Sequence, residues 1–90
     1  MATVNTGLWV AGFNLPPGQQ HHWQQNGQTF GRVRWFIAQP LSLLGVERAV
    51  EVVRVFSLVT AGGVRQINVI VRNVGTESAN YSIFFAETGS

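Results

Sequence analysis

In the stretch from Val64 to Asn73, Ile67, Val69 and Val71 fall on one side of a two-residue repeat, while Gln66, Asn68 and Arg72 fall on the other and Ile70 is the exception. The pattern returns from Ser78 to Glu87, where Tyr81, Ile83 and Phe85 alternate with Asn80 and Ser82, and Phe84 is the exception. Successive side chains of a strand point to opposite faces, so a strand with one buried face sorts residues in this way and a helix does not. Between the two runs, Val74-Gly75-Thr76-Glu77 carries turn chemistry. The chain is thereby restricted to folds built from sheets.

Four further segments read as strands. Gly7 to Leu15 places Trp9, Ala11, Phe13 and Leu15 on one face, and Pro16-Pro17-Gly18 ends it because proline lacks the ladder donor. Gln19 to Gln25 puts His21, Trp23 and Gln25 on one face and His22 and Gln24 on the other, before the turn dipeptide Asn26-Gly27. From about Gly31 to Ala38, Val33, Trp35 and Ile37 oppose Arg32, Arg34 and Phe36, and Pro40 closes the strand. Ala49 to Thr60 is rich in β-branched residues, which favour a pleated surface. Val50, Val52, Phe56 and Leu58 make one apolar face of this strand, and Val53, Val55 and Val59 the other. A helical reading survives only as one turn near Ser42 to Val46. Ala61-Gly62-Gly63 closes a hairpin into the Val64 strand.

The fold expected is one all-β domain over residues 1–90: a small antiparallel β-sandwich, immunoglobulin-like or jelly-roll-like, of six to eight strands. Its expected core is Val33, Trp35, Ile37, Ile67, Val69, Val71, Tyr81, Ile83 and Phe85, the more apolar face of each strand.

Composition narrows the partners. Only 11% of residues are charged, against roughly 25% in ordinary domains. All six basic residues are arginine, and the net charge is +2. That is a poor footprint for nucleic acid, where affinity scales with the phosphates neutralised. With no cysteine, disulfides and thiol chemistry are excluded. The stretch MATVNTGLWV lacks the charged and apolar regions of a signal peptide, so none is expected. No apolar run approaches the roughly 18 residues of a membrane-spanning helix, so no membrane insertion is expected either. The two-sided apolar strand from Ala49 to Thr60 needs a second cover, either a loop or another subunit, and a homo-oligomer is expected as the commonest solution.

Residues 66–85, QINVIVRNVGTESANYSIFF, resemble the final hairpin of bacterial immunoglobulin-like modules of the cell-adhesion-related (CARDB-like) kind. In those modules an alternating valine strand runs into N-x-G-T, followed by a small residue and another alternating strand. The upstream LPPGQQHHW is similar to the L-x-P-G turn and tryptophan-bearing strand of the same class. The resemblance implies a sandwich with an adhesive or scaffolding role.

The stretch PPGQQHHWQQNGQTFG, residues 16–31, holds the candidate site. Adjacent residues of a strand point apart, so His21 and His22 cannot chelate one ion, and no Cys, Asp or third His completes a set. Neither a metal nor a cofactor is expected. The acids Glu47, Glu51, Glu77 and Glu87 form no catalytic motif with a Ser or His, and Glu47 and Glu51 read as surface partners of Arg48 and Arg54. Without a nucleophile elbow or a phosphate cradle, the chain reads as a non-enzyme.

Carbohydrate recognition fits better, because a sugar takes an aromatic face ringed by neutral hydrogen-bonding groups. His21, His22, Trp23, Gln24, Gln25, Asn26 and Gln28 supply that mixture, in a lectin-like module acting as a multivalent oligomer. Trp23 also reads as the core tryptophan of its strand, with the histidines and amides around it as the exposed face. The alternative function is a structural or self-assembling subunit, part of an oligomer, filament or coat, with no small-molecule ligand.

Overall fold

A computed structural model of the chain describes residues 3–41 and 45–89. Six strands form, β1 (Thr3–Leu15), β2 (Gln20–Asn26), β3 (Val33–Pro40), β4 (Val50–Val59), β5 (Arg65–Asn73) and β6 (Ala79–Gly89), with no helix among the described residues. They make two three-stranded antiparallel sheets, β1-β6-β3 and β2-β5-β4, packed as a sandwich. The expected fold class is thus the observed one. Pairing of β1 with β6 and of β2 with β5 is that of a doubled-back antiparallel ribbon, folded so that β3 joins β6 and β4 joins β5. Of the two variants expected, this winding is the jelly-roll-like one.

Of the expected helical turn near Ser42 to Val46, residues 42–44 lie outside the described residues. Gly45 sits in a turn with φ 85°, and Val46 has no regular structure.

Among the described residues only β4 and β5 form a hairpin, closed by Thr60 N donating to Val64 O at 2.9 Å, with Gly63 at φ 86°. Strands β5 and β6 lie in different sheets, so residues 74–78 cross the sandwich and do not close the hairpin that the resemblance implied. The crossing is pinned by Asn73, which is fully buried. Its Nδ2 donates to Leu15 O at 2.8 Å and to Glu77 O at 2.7 Å, and its Oδ1 accepts from Gly75 N at 2.9 Å. One side chain therefore ties the end of β1 to the start of the crossing.

The core is the facing surface of the two central strands. Val69 and Val71 of β5 meet Tyr81 and Ile83 of β6, all fully buried, with Leu15 and Ala38 at the margin and Trp9, Trp23, Phe36, Val50 and Val52 packed around them. Ile67 is buried as expected and Phe85 half-buried.

Strand β3 is turned the other way from the expectation. Val33, Trp35 and Ile37 are 49%, 55% and 58% exposed, and Phe36 and Ala38 face inward instead. Register with β6 sets this choice, because Arg34 stands opposite Glu87 and Ala38 opposite Ile83. Glu87 is inward and buried, so its cation must be inward too. Phe36 then packs against Trp9 with ring centroids 4.9 Å apart and planes tilted by 49°.

Two strands depart from strict alternation. In β1, register shifts at Leu8/Val10 and Gly12/Leu15 break the expected face, so Trp9 and Leu15 pack on the core while Ala11 and Phe13 are exposed. In β4, a bulge at Val52/Arg54 changes the phase. Val52 and Val55 then share the side that pairs with Val71 and Val69, and Phe56 pairs with Asn68 on the other. The two-faced strand of the sequence is a bulged edge strand.

Candidate functional site

Strand β2 is an edge strand whose alternation divides the candidate residues. His21, Trp23 and Gln25 are half-buried toward the opposite sheet, while His22, Gln24 and Asn26 are exposed. The histidine pair is split between faces, and no three His, Cys, Asp or Glu side chains converge among the described residues.

Two inward side chains meet at one hydroxyl. Trp23 Nε1 donates to Tyr81 Oη at 2.9 Å, and His21 Nδ1 lies 2.6 Å from the same oxygen. Indole N–H can only donate, so the phenolic hydrogen is free to donate to His21 Nδ1. Tyr81 Oη keeps its own hydrogen and a second lone pair for His21 Nδ1, and which of the two donates follows the imidazole's tautomer. Burial raises the Tyr81 phenol above its ordinary value, and the Trp23 hydrogen bond opposes the shift.

On the outer face, His22 Nε2 pairs with Asn68 Oδ1 at 2.9 Å. A carbonyl only accepts, so in this arrangement His22 donates from Nε2, while the Asn68 Nδ2 is buried without a partner among the described residues. Phe56 lies beside His22 with centroids 6.1 Å apart, and Arg54 covers Phe56 at 4.5 Å.

A shallow open cleft of about 380 Å³ runs along the β1–β2 edge of the sandwich, lined by Ala11, Gly12, Phe13, His21, His22 and Trp23. Phe13 lies within the Gly12/Leu15 register shift of β1, next to Asn14, whose backbone is left-handed, φ 55°, with its N–H bonded to Asn80 Oδ1 at 2.8 Å. The Phe13 ring is 63% exposed. Among the described residues, no Arg or Glu lines the cleft.

Three candidates from the sequence thus share one concave surface: His21, His22 and Trp23. The others do not join them. Gln24 and Asn26 face outward on β2. Gln25 accepts from Arg34, inside the sandwich. Gln28 accepts from the Ser57 hydroxyl at 3.3 Å and lines a separate cavity of about 310 Å³, where Arg65 lies over Phe30.

Glu87 receives Arg32 at 2.7 Å and also Arg34, and these hydrogen bonds, Arg34 foremost, hold its carboxyl below the usual carboxylate range. The expected pairing of Glu47 and Glu51 with Arg48 and Arg54 is not found. Arg48 Nε donates to Ser78 O, and Arg54 lies on Phe56.

Sequence reasoning missed Phe13 and Tyr81 as site residues. Tyr81 carried a usable signal, since a buried phenol needs a polar partner from the facing sheet. For Phe13 the signal was Asn14, an amide residue that tolerates the left-handed backbone ending an alternation. Compared with protein-family models, with curated proteins and with solved structures, the chain finds no match.

Proposed function

We propose that the chain is a non-catalytic recognition module that takes a neutral sugar in the cleft between β1 and β2. The observation that carries this reading is the lining of that cleft. An exposed Phe13 ring and the Trp23 edge stand beside two imidazoles, with no Arg or Glu among the described lining residues. A phosphate or carboxylate would find no counter-charge there. The apolar side of a pyranose packs on the aromatic ring, while its hydroxyls exchange hydrogen bonds with the imidazole and backbone groups that border the cleft. Trp23 acts as a wall, because its N–H is already committed to Tyr81.

Each such hydrogen bond contributes only about 1 kcal/mol after exchange with water, so one cleft binds weakly and display in several copies raises the avidity. The test is binding of the intact protein to immobilised neutral glycans, with Phe13→Ala and His22→Ala as probes. Phe13 is exposed, so its variant should fold, whereas His22→Ala also removes the partner of the buried Asn68 Oδ1 and is compared only after its circular dichroism matches the parent's. Each should lower binding about five- to tenfold, as expected for losing roughly 1 kcal/mol. If no glycan is retained, or both variants bind as the parent does, this reading fails.

A further inference from the structure

We propose that the outer face of the β1-β6-β3 sheet is the contact surface for a second copy of this chain. The inference is independent of the sugar reading, since it concerns the opposite side of β1 from the core and none of the histidines.

The face is built in cross-strand rows. Leu8, Phe84 and Ile37 stand side by side in one, Thr6, Ala86 and Trp35 in the next, and Val4, Thr88 and Val33 in the third. Val4, Leu8, Val33, Trp35, Ile37 and Phe84 are 64%, 59%, 49%, 55%, 58% and 37% exposed. Scattered exposed apolar residues are ordinary, but six in adjacent rows are a patch. At these exposures they present on the order of 600 Å² of surface, the upper end of what a monomer's largest apolar patch reaches.

Charge and area identify the occupant. The three rows hold no charged residue. A different protein steered by charge has nothing to read on such a face, whereas two copies meet without like-charge repulsion. A face used by two identical chains must also be self-complementary. Here Trp35 stands beside Ala86, so a large side chain adjoins a small one within a single row. The sandwich measures 44 × 33 Å across and 15 Å through, so this face has room for the roughly 800 Å² per partner of a standard interface. Sheets pack face to face with their strands within about 30° of each other, which is how two flat outer faces would stack. A lipid surface is the lesser fit, because the rows carry no Arg to meet anionic headgroups.

Sedimentation of the full chain over a concentration series tests the proposal. The expected species has at least twice the 9.9 kDa chain mass. Ile37→Glu and Leu8→Glu, on different strands, should shift it to monomer, while Arg72→Glu on the other sheet should not. Hydrogen exchange of the parent on dilution gives a readout free of any variant. Protection should fall in peptides covering residues 4–8, 33–37 and 84–88 and hold steady across 65–73. A parent that stays monomeric at high micromolar concentration overturns the proposal. So does association whose dilution-sensitive peptides lie elsewhere. A monomer that floats with phosphatidylcholine vesicles overturns it in favour of lipid.

Discussion

Gly12 faces Tyr81 across the β1–β6 ladder, and the phenol ring fills the place that a Cβ on Gly12 would take. The missing side chain lets Tyr81 pass under β1 and bring its hydroxyl to His21 and Trp23. Gly12→Ala should therefore displace the ring or push β1 off the sheet, at about 1–3 kcal/mol, the usual cost of overpacking. Gly62→Ala is the matched control, because its nearest neighbour would be Thr60 Oγ1 at 3.9 Å. Urea denaturation of the two variants should show a lowered midpoint for the first and little change for the second.

Asn73 is the second structural requirement. Its amide nitrogen serves two carbonyls, of Leu15 and Glu77, and its oxygen serves the Gly75 N–H. Asn73→Leu leaves these backbone groups unpaired where water reaches them poorly, at about 1–3 kcal/mol for each group left unsatisfied. The variant should lose about 3 kcal/mol or more by chemical denaturation. An unchanged midpoint would mean that the crossing between sheets is held by other contacts.

Glu87 gives the protein an acid limit. Its folded pKa is lowered by Arg34 and Arg32, so the folded state binds fewer protons than the unfolded state in the carboxylate range. The stabilisation is present above the unfolded value and is lost as pH falls through the depressed folded value. Denaturation midpoints should decline on acidification through that window. Glu87→Gln should flatten the decline while lowering stability at neutral pH, because two guanidinium groups lose their counter-charge. A parent and variant with parallel pH profiles would contradict the pairing.

Strand β3 shows what alternation can and cannot specify. The repeat in Val33 to Ile37 identified a strand, but both of its faces carry bulk, Trp35 on one and Phe36 on the other. The choice between them was made by Glu87, a residue more than fifty positions away that brings Arg34 inward. Strands β5 and β6 were legible because polar residues mark the outer side, and Val69, Val71, Tyr81 and Ile83 are buried as read. The site was half legible for a related reason. His21, His22 and Trp23 are contiguous in sequence, whereas Phe13 joins them only through a register shift in β1 and the left-handed turn at Asn14.

Tyr81 makes the last prediction, at the alkaline end. The chain has one tyrosine and neither lysine nor cysteine. Between the amino-terminal range and the arginine range, Tyr81 is therefore the only side chain that titrates. Burial raises its folded pKa above the ordinary value near 10. In that window the unfolded chain has given up the phenolic proton while the folded chain keeps it, so stability falls as pH rises above about 10. Phenolate absorbance should appear late and together with loss of sheet structure, because the buried site disfavours the charged phenolate. Tyr81→Phe should remove this alkaline slope, and at neutral pH it should cost about 1 kcal/mol for the lost hydrogen bonds. A phenolate that forms at the ordinary pH while the sheet signal persists would show that the hydroxyl is open to water. The hydrogen bonds joining Trp23 and His21 to it would then not hold the cleft wall in place.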